Sequence, residues 1–137
     1  MFEQFAYLFL IAAAGWCDLK TRTVPDILTA LLWLILVFPP FEMVRAAYAF
    51  AVVYALVAGY EFVKREQVLG LADILALPTW YSAICTLTPL GTGISAACLV
   101  LALAVSPRFM SKKKTLPGVA LFALSFACGL LLPMLIK

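Results

Sequence analysis

Long apolar runs that follow one another with few interruptions are the feature that most limits how this chain can fold. Of the 137 residues, 66% are hydrophobic and 12% are charged, whereas soluble globular domains are about half apolar and about a quarter charged. A soluble domain of this length could not bury so much apolar surface. The runs are also far longer than the strands of about ten residues that build membrane β-barrels. We therefore expect an all-α integral membrane protein.

Six apolar segments predict a bundle of six transmembrane helices that forms a single domain over residues 1–137. Turn-forming sequences separate them, among them Pro39-Pro40, TPLGTG at 88–93 and SPRF at 106–109. A span needs about 20 residues, so the first two segments should be little tilted or should end in a water-accessible region. The predicted segments are 3–18, 25–38, 44–62, 70–86, 92–106 and 117–136.

The basic residues predict the orientation of these helices. If both termini lie outside, three loops face the cytoplasm, and those loops hold eight of the ten lysines and arginines, as is typical of cytoplasmic loops. We therefore expect an N-out, C-out, multi-pass protein of the cell inner (cytoplasmic) membrane. The net charge of +3 follows from this asymmetry and needs no nucleic-acid partner. The eight residues are Lys20, Arg22, Lys64, Arg65, Arg108, Lys112, Lys113 and Lys114.

The chain contains no histidine and only four widely separated cysteines. The absence of histidine excludes HExxH metalloproteases and Ser-His catalysis. No two cysteines form a C-x-x-C pair, so we interpret them as small packing residues. We therefore expect neither a metal nor another cofactor. The cysteines are Cys17, Cys85, Cys98 and Cys128.

Three aspartates are predicted at the cytoplasmic ends of helices. Asp18 ends the first helix, Asp26 opens the second and Asp73 lies just inside the fourth. A carboxylate at mid-span costs about 2.5–3.5 kcal/mol, and less near the interface. Asp18 is either an interfacial residue that reaches water beside Lys20 or a functional acid. Asp26 follows Pro25 in a first helical turn, where the helix dipole favours a carboxylate, so we interpret it as structural.

Asp73 is the hardest of the three to explain as structural. Its neighbours in LGLADILAL are apolar, and the nearest basic residue is Arg65. Two adjacent carboxyl groups share a proton, and such a pair can hydrolyse a peptide bond: one takes a proton from water and the other polarises the carbonyl. A pair formed by Asp18 and Asp73 could equally carry protons in a small transporter. Their spacing does not choose between these functions.

The DLKTRTVPDILT segment at 18–29 resembles the first catalytic motif of the type IV prepilin and preflagellin peptidases. These are six-span membrane aspartic proteases in which an aspartate precedes a short basic stretch and then Ile/Val-Pro. Asp18 matches the first catalytic aspartate, Lys20 and Arg22 match the basic stretch, and Pro25 matches the proline.

Two further segments carry the resemblance. GLAD at 70–73 is similar to the second motif, G-x-G-D, with Gly70 as its first glycine and Asp73 as the second catalytic aspartate. Pro117-Gly118 looks like a reduced form of the Pro-Gly element that opens the last span of the family. The resemblance in layout covers essentially the whole chain.

The chain also departs from the family pattern. Ala72 replaces the second glycine of G-x-G-D, which adds a methyl group where glycine would allow a close approach. Asp26 stands at the usual asparagine position and adds a carboxylate near the pair. Ile74 and Leu75 stand where many bacterial members carry a lysine.

The resemblance implies endoproteolysis at the cytoplasmic membrane face by Asp18 and Asp73. The substrate would be a prepilin-like or preflagellin-like protein, cut where its short basic leader meets a hydrophobic helix. The chain has no room for the cysteine-bearing insertion of larger members, so we expect a minimal form. Its expected partners are that substrate and the lipid bilayer. Three alternatives stay open: a proton-coupled transporter or channel, a non-catalytic prepilin-binding relative suggested by Ala72, and an assembly subunit held by small residues.

Overall fold

A computed structural model describes residues 1–21, 23–65, 71–109 and 118–136. These residues form six α-helices and no strand. Each predicted apolar segment corresponds to one of these helices, which confirms the all-α prediction. The helices are α1 (Phe2–Thr21), α2 (Asp26–Ile35), α3 (Met43–Lys64), α4 (Leu71–Ile84), α5 (Pro89–Phe109) and α6 (Gly118–Ile136).

Helix α5 is longer at both ends than the sequence predicted. The Thr88 hydroxyl accepts the Gly91 backbone N–H at 3.2 Å and so caps the helix, while Pro89 takes the first helical position, where its missing N–H is not needed. The prediction that TPLGTG forms a break was therefore wrong beyond its first residue. The break predicted at 106–109 was also wrong, because Pro107 removes only one backbone donor near the helix end.

Helix length supports only part of the six-span prediction. Among the described residues, α3 and α6 are long and apolar enough to cross a membrane. Helix α2 has 10 residues and α4 has 14. At 1.5 Å per residue these helices are only about 15 and about 21 Å long, against a hydrocarbon core of about 30 Å. The number of spans and their orientation therefore stay predictions.

Helix α6 lies at the centre of the bundle and packs against α1, α4 and α5, while α4 also packs against α2 and α3. Two polar contacts join α1 to α4 and to the turn that follows it. The Gln4 amide donates to the carbonyl and the hydroxyl of Thr86, both at 3.0 Å, and the Tyr7 and Thr79 hydroxyls share a hydrogen bond of 3.1 Å. Later residues of α1 thus meet earlier residues of α4, so the two helices are antiparallel.

The core combines aromatic rings with hydrogen-bonded polar groups. The Tyr7 and Phe126 rings pack edge to face with centroids 5.0 Å apart. The Trp80 indole N–H donates to the Ser125 hydroxyl at 2.8 Å, and that hydroxyl donates to the Phe122 carbonyl at 3.1 Å. A buried polar group without a partner costs about 1–3 kcal/mol. These bonds therefore let polar side chains join α4 to α6 without that penalty.

Helices α5 and α6 cross where two glycines face each other. A Cβ added to Gly129 would lie 2.6 Å from the Gly91 carbonyl oxygen, and one added to Gly91 would lie 2.5 Å from the Gly129 carbonyl oxygen. Both distances are too short for real carbon atoms, so the crossing requires glycine at both positions. Small residues at such crossings are typical of membrane helix pairs.

Replacing Gly129 with alanine should destabilise the fold by about 1–3 kcal/mol, the usual cost of overpacking, because the atom in the way is rigid backbone. Gly59→Ala is the matched control. Nothing lies within 4 Å of the Cβ it would add, and alanine has the higher helix propensity. Thermal unfolding in detergent, followed by circular dichroism, measures both variants. A Gly129→Ala protein that melts with the parent would contradict the close crossing.

Candidate functional site

Asp18 lies on the buried face of α1. Tyr7, Ile11 and Gly15 precede it at intervals of three or four residues and are buried as well, which places all of them on one side of the helix. The aspartate is only 8% exposed, whereas the nearby Lys20 is exposed. The interpretation of Asp18 as a residue that reaches water beside Lys20 was therefore wrong, because the protein itself encloses the side chain.

A close contact at Gly15 brings α1 against the start of α6. A Cβ added to Gly15 would lie 2.9 Å from the Ala120 Cα, so the two backbones touch. Because Tyr7 meets Phe126 at the other end of the contact, the helices are antiparallel, and Asp18 lies one turn beyond Gly15, toward the end of the bundle at which α6 begins. Sequence reasoning missed Gly15. The available signal was a small residue one turn before the aspartate.

Asp73, in the first turn of α4, packs directly against Gly118, the first residue of α6. A Cβ added to Gly118 would overlap with the Asp73 Oδ1 and lie 2.7 Å from its Cγ. Glycine at the start of α6 therefore makes room for this carboxylate. The start of a helix also carries partial positive charge, which favours a nearby carboxylate.

The structure thus brings Asp18 and Asp73 to the same end of the bundle. The antiparallel pairing of α1 with α4 shows this. Gln4 bonds Thr86 at one end of the pair, and Tyr7 bonds Thr79 further along. Both aspartates lie beyond the Tyr7–Thr79 bond, on the side away from Gln4. Asp73 lies against the start of α6, and Asp18 lies toward the same end of the bundle. Two motifs that are far apart in the sequence are therefore brought to the end at which α6 begins with Gly118.

The connection that follows Asp18 is compact. The Thr21 and Thr23 hydroxyls share a hydrogen bond of 2.9 Å, and α2 begins at Asp26, directly after Pro25. Asp26 therefore occupies a first helical turn, as the sequence predicted. Its side chain is exposed, so the structure does not place Asp26 on the enclosed side of the bundle with Asp18.

The remaining predicted site residues differ in their surroundings. Ala72 is half-buried and packs against the hydrophobic core, so its methyl group contributes to packing. Lys20 and Pro25 are exposed. Three further predicted residues lie outside the described part of the chain: Arg22, Gly70 and Pro117.

Two cavities in the described part of the chain lie away from the aspartates. The larger, of about 760 Å³, is lined by Gln4 and Ile136 among others, at the start of α1 and the end of α6. The smaller, of about 330 Å³, is an apolar groove between α3 and α4. Neither is lined by Asp18 or Asp73. The candidate site is therefore defined by its two carboxyl groups and by the start of α6, against which Asp73 packs.

This arrangement is suited to acid–base chemistry, since two partly enclosed carboxyl groups can exchange protons with water or with a substrate.

Within residues 1–21, 23–65, 71–109 and 118–136, no group of three His, Cys, Asp or Glu side chains is placed to hold a metal ion. Comparison with protein-family models, with curated proteins and with solved structures finds no match to this chain.

Proposed function

We propose that this protein is a membrane aspartic endopeptidase of the prepilin-peptidase type. It cleaves the short basic leader from prepilin-like or preflagellin-like substrates at the cytoplasmic membrane face. The observation that carries the proposal is the placement of Asp18 and Asp73 at the same end of the bundle, where Gly118 makes room for the Asp73 carboxylate. The resemblance of the segments around these three residues to the family motifs supports the same function.

In this mechanism the two carboxyl groups share one proton. The ionised group removes a proton from a water molecule, whose oxygen attacks the scissile carbonyl carbon. The protonated group donates its proton to the carbonyl oxygen, which yields a tetrahedral intermediate. As this intermediate collapses, the C–N bond breaks, the leaving amine takes the proton that the first carboxyl group removed from water, and a hydroxyl of the intermediate gives its proton to the second carboxyl group. The carboxyl groups then return to the state with one shared proton.

The proposed orientation places six helices across the inner membrane with both termini outside and the aspartates toward the cytoplasm. The Ser82 hydroxyl donates to the Glu42 carbonyl at 3.1 Å, so the start of α3 lies beside the end of α4. The end of α3, with the exposed Lys64 and Arg65, is therefore at the end that holds Asp73. Exposed basic residues at that end support a cytoplasmic site.

The proposal is tested by cleavage in liposomes. The purified full chain is mixed with tagged prepilin-like and preflagellin-like substrates, each with a basic leader before a hydrophobic helix. The new N-terminus is then read by mass spectrometry. We expect a cut at the junction between leader and helix. A folded protein that cuts none of the substrates would contradict the proposal, and proton flux into the same liposomes would then test the transporter alternative.

Ala72→Gly separates the active peptidase from the non-catalytic relative. Because the Ala72 methyl group packs against the core, we expect its removal to leave the cleavage rate within about twofold and to lower stability by up to about 1 kcal/mol, the propensity cost of glycine in a helix. Rates in liposomes and melting in detergent check the two effects. A rise in cleavage of tenfold or more would indicate that the alanine suppresses activity.

The rate of cleavage should pass through a maximum as pH changes. At low pH both carboxyl groups are protonated and neither can accept a proton from water. At high pH both are ionised and neither can donate to the carbonyl oxygen. The rate therefore falls on both sides of the maximum, and the two apparent pKa values of the profile describe the pair rather than either aspartate alone. Initial rates across the carboxylate range, with the substrate saturating at each pH, measure this profile. A flat profile would count against a shared proton.

A further inference from the structure

The apolar groove between α3 and α4 opens on the outside of the bundle. It has a volume of about 330 Å³, within the range of ligand pockets in proteins. Its walls are apolar and aromatic side chains of both helices, among them Ala49 of α3 and Leu77 of α4. Two of the lining residues, Tyr48 and Tyr81, are exposed, so the groove is accessible from outside the protein. The proposed peptidase reaction does not use it.

A pair of opposite charges stands at one end of the groove. Arg45, Tyr48 and Val52 recur at intervals of three and four residues and so share one side of α3. The Ser82 hydroxyl donates to the Glu42 carbonyl at 3.1 Å, which places the start of α3 beside the end of α4. The Arg45 guanidinium lies 2.8 Å from the Glu42 carboxylate. Both side chains are exposed, so both charges can also bind a ligand at the mouth of the groove.

The length of α3 places this mouth at the depth of lipid headgroups. Among the described residues, α3 is one of the two helices long and apolar enough to cross a membrane. Its 22 residues extend about 33 Å, against a hydrocarbon core of about 30 Å. Arg45 lies in the first turn of this helix and Tyr48 one turn further in, at the level where tyrosine is enriched. The apolar length of the groove then lies among the lipid tails.

We propose that this groove binds one zwitterionic phospholipid of the bilayer. An acyl chain lies between α3 and α4, the phosphate binds Arg45, and the headgroup ammonium binds Glu42. Guanidinium groups bind phosphate through charge-assisted and often bidentate hydrogen bonds, and an ammonium group forms such bonds with a carboxylate. The charges of the headgroup thus complement those of the pair. The inference uses neither aspartate and is independent of the proposed peptidase activity.

An acyl chain suits the groove better than a helix of another protein. A helix with its side chains is about 10–12 Å across, too wide to enter a slot between two packed helices. Water is not favoured among apolar side chains, and walls that face a void lose their dispersion contacts. A hydrocarbon chain supplies those contacts. Because lipid tails are as apolar as the walls, the chain alone selects weakly, and the headgroup charges decide which lipid binds.

The test titrates lipids onto the delipidated full chain in detergent and measures the bound lipid by native mass spectrometry. Three lipids share the same dioleoyl chains: phosphatidylethanolamine carries both headgroup charges, phosphatidylglycerol carries only the phosphate, and diacylglycerol carries neither. We expect one phosphatidylethanolamine on each monomer, bound at least tenfold more tightly than diacylglycerol, with phosphatidylglycerol between them. Equal affinities for the three lipids, or tighter binding of phosphatidylglycerol, would overturn the proposal.

Two substitutions each remove one headgroup contact. Arg45→Gln and Glu42→Gln should each weaken phosphatidylethanolamine binding about tenfold, and Glu42→Gln should also abolish the preference over phosphatidylglycerol. Lys64→Gln is the matched control, because Lys64 is an exposed basic residue at the other end of α3, and its affinity should equal that of the parent. Circular dichroism checks the fold. Parental affinity in either Arg45→Gln or Glu42→Gln would contradict the assigned headgroup contacts.

A third substitution fills the groove itself. Ala49 lines the groove, so the ring of Ala49→Phe should exclude the acyl chain and lower the affinity at least tenfold. Ala51→Phe adds the same ring at an exposed position on the opposite side of α3 and should bind as the parent does. Parental binding by a folded Ala49→Phe protein would overturn the proposal. So would a lipid-free dimer that this substitution dissociates, since a second copy would then occupy the groove. If Ala49→Phe does not fold, the two charge substitutions still decide the outcome.

Discussion

Asp73→Asn is expected to abolish cleavage while the protein stays folded. Asparagine has nearly the shape of aspartate, so it can occupy the space that Gly118 leaves at the start of α6. Its amide, however, neither accepts a proton from water nor donates one to the scissile carbonyl. A positioned acid or base contributes about 10²–10⁴-fold to a rate, so the rate should fall by at least this factor.

Initial rates in liposomes, with the substrate in excess, measure this loss, and circular dichroism in detergent checks the fold. Asp26→Asn is the matched control, because Asp26 is also an aspartate in the first turn of a helix but its side chain is exposed. Its cleavage rate should stay within a fewfold of the parent. A comparable loss in Asp26→Asn would show that a different carboxylate belongs to the catalytic pair.

Gly118→Ala should also reduce cleavage strongly, although it removes no reacting group. The added Cβ would occupy the position of the Asp73 carboxylate, and even the carboxylate carbon would be only 2.7 Å away. The short side chain can escape only by turning its whole carboxyl group. A catalytic group misplaced by about 1 Å can cost about 10²-fold in rate. We therefore expect a loss of about 10- to 100-fold that appears mainly in kcat.

The measurement is kcat and KM for Gly118→Ala beside Gly59→Ala, whose added Cβ meets nothing within 4 Å. Because a side chain rather than backbone yields at Gly118, the melting temperature should change little. The loss of kcat at nearly constant stability distinguishes displacement of the carboxylate from general misfolding. An unchanged kcat in a folded Gly118→Ala protein would mean that the position of Asp73 against α6 does not matter for the reaction.

The positions of the helices could be predicted from the sequence because apolar runs and turn residues alternate along the chain. The prediction failed at both ends of α5. Pro89 occupies the first position of α5, a favoured one for proline, and Thr88 caps this helix start. Pro107 lies near the end of the same helix. Proline and glycine mark turns only on average. Their effect depends on which backbone groups the local structure leaves in need of partners.

Which side of each helix is buried could not be predicted in the same way. Most of these helices are apolar on every side, so hydrophobic periodicity does not indicate which side is buried. The hydrogen bond of Tyr7 with Thr79 and the contact of Gly91 with Gly129 depend on how each helix is rotated about its own axis. Tertiary packing sets that rotation. Local sequence therefore placed the elements but not these contacts.

The candidate site was only partly visible in the sequence. The resemblance to the peptidase family selected Asp18, Asp73 and Gly118 together, but it gave no physical reason for the glycine. The structure supplies one, since Gly118 leaves the space that Asp73 fills. Gly15 was missed altogether, because a small residue in an apolar helix is too common to indicate a contact by itself.

The most direct test of the central claim compares four proteins: the parent, Asp18→Asn, Asp73→Asn and the double variant. If the two aspartates act as one catalytic pair, each single change should remove nearly all cleavage, and the double variant should lose little more than either single variant. The measurement is the single-turnover rate constant with one prepilin-like substrate in liposomes. Substantial cleavage by either single variant, or losses that multiply in the double variant, would contradict a two-aspartate mechanism.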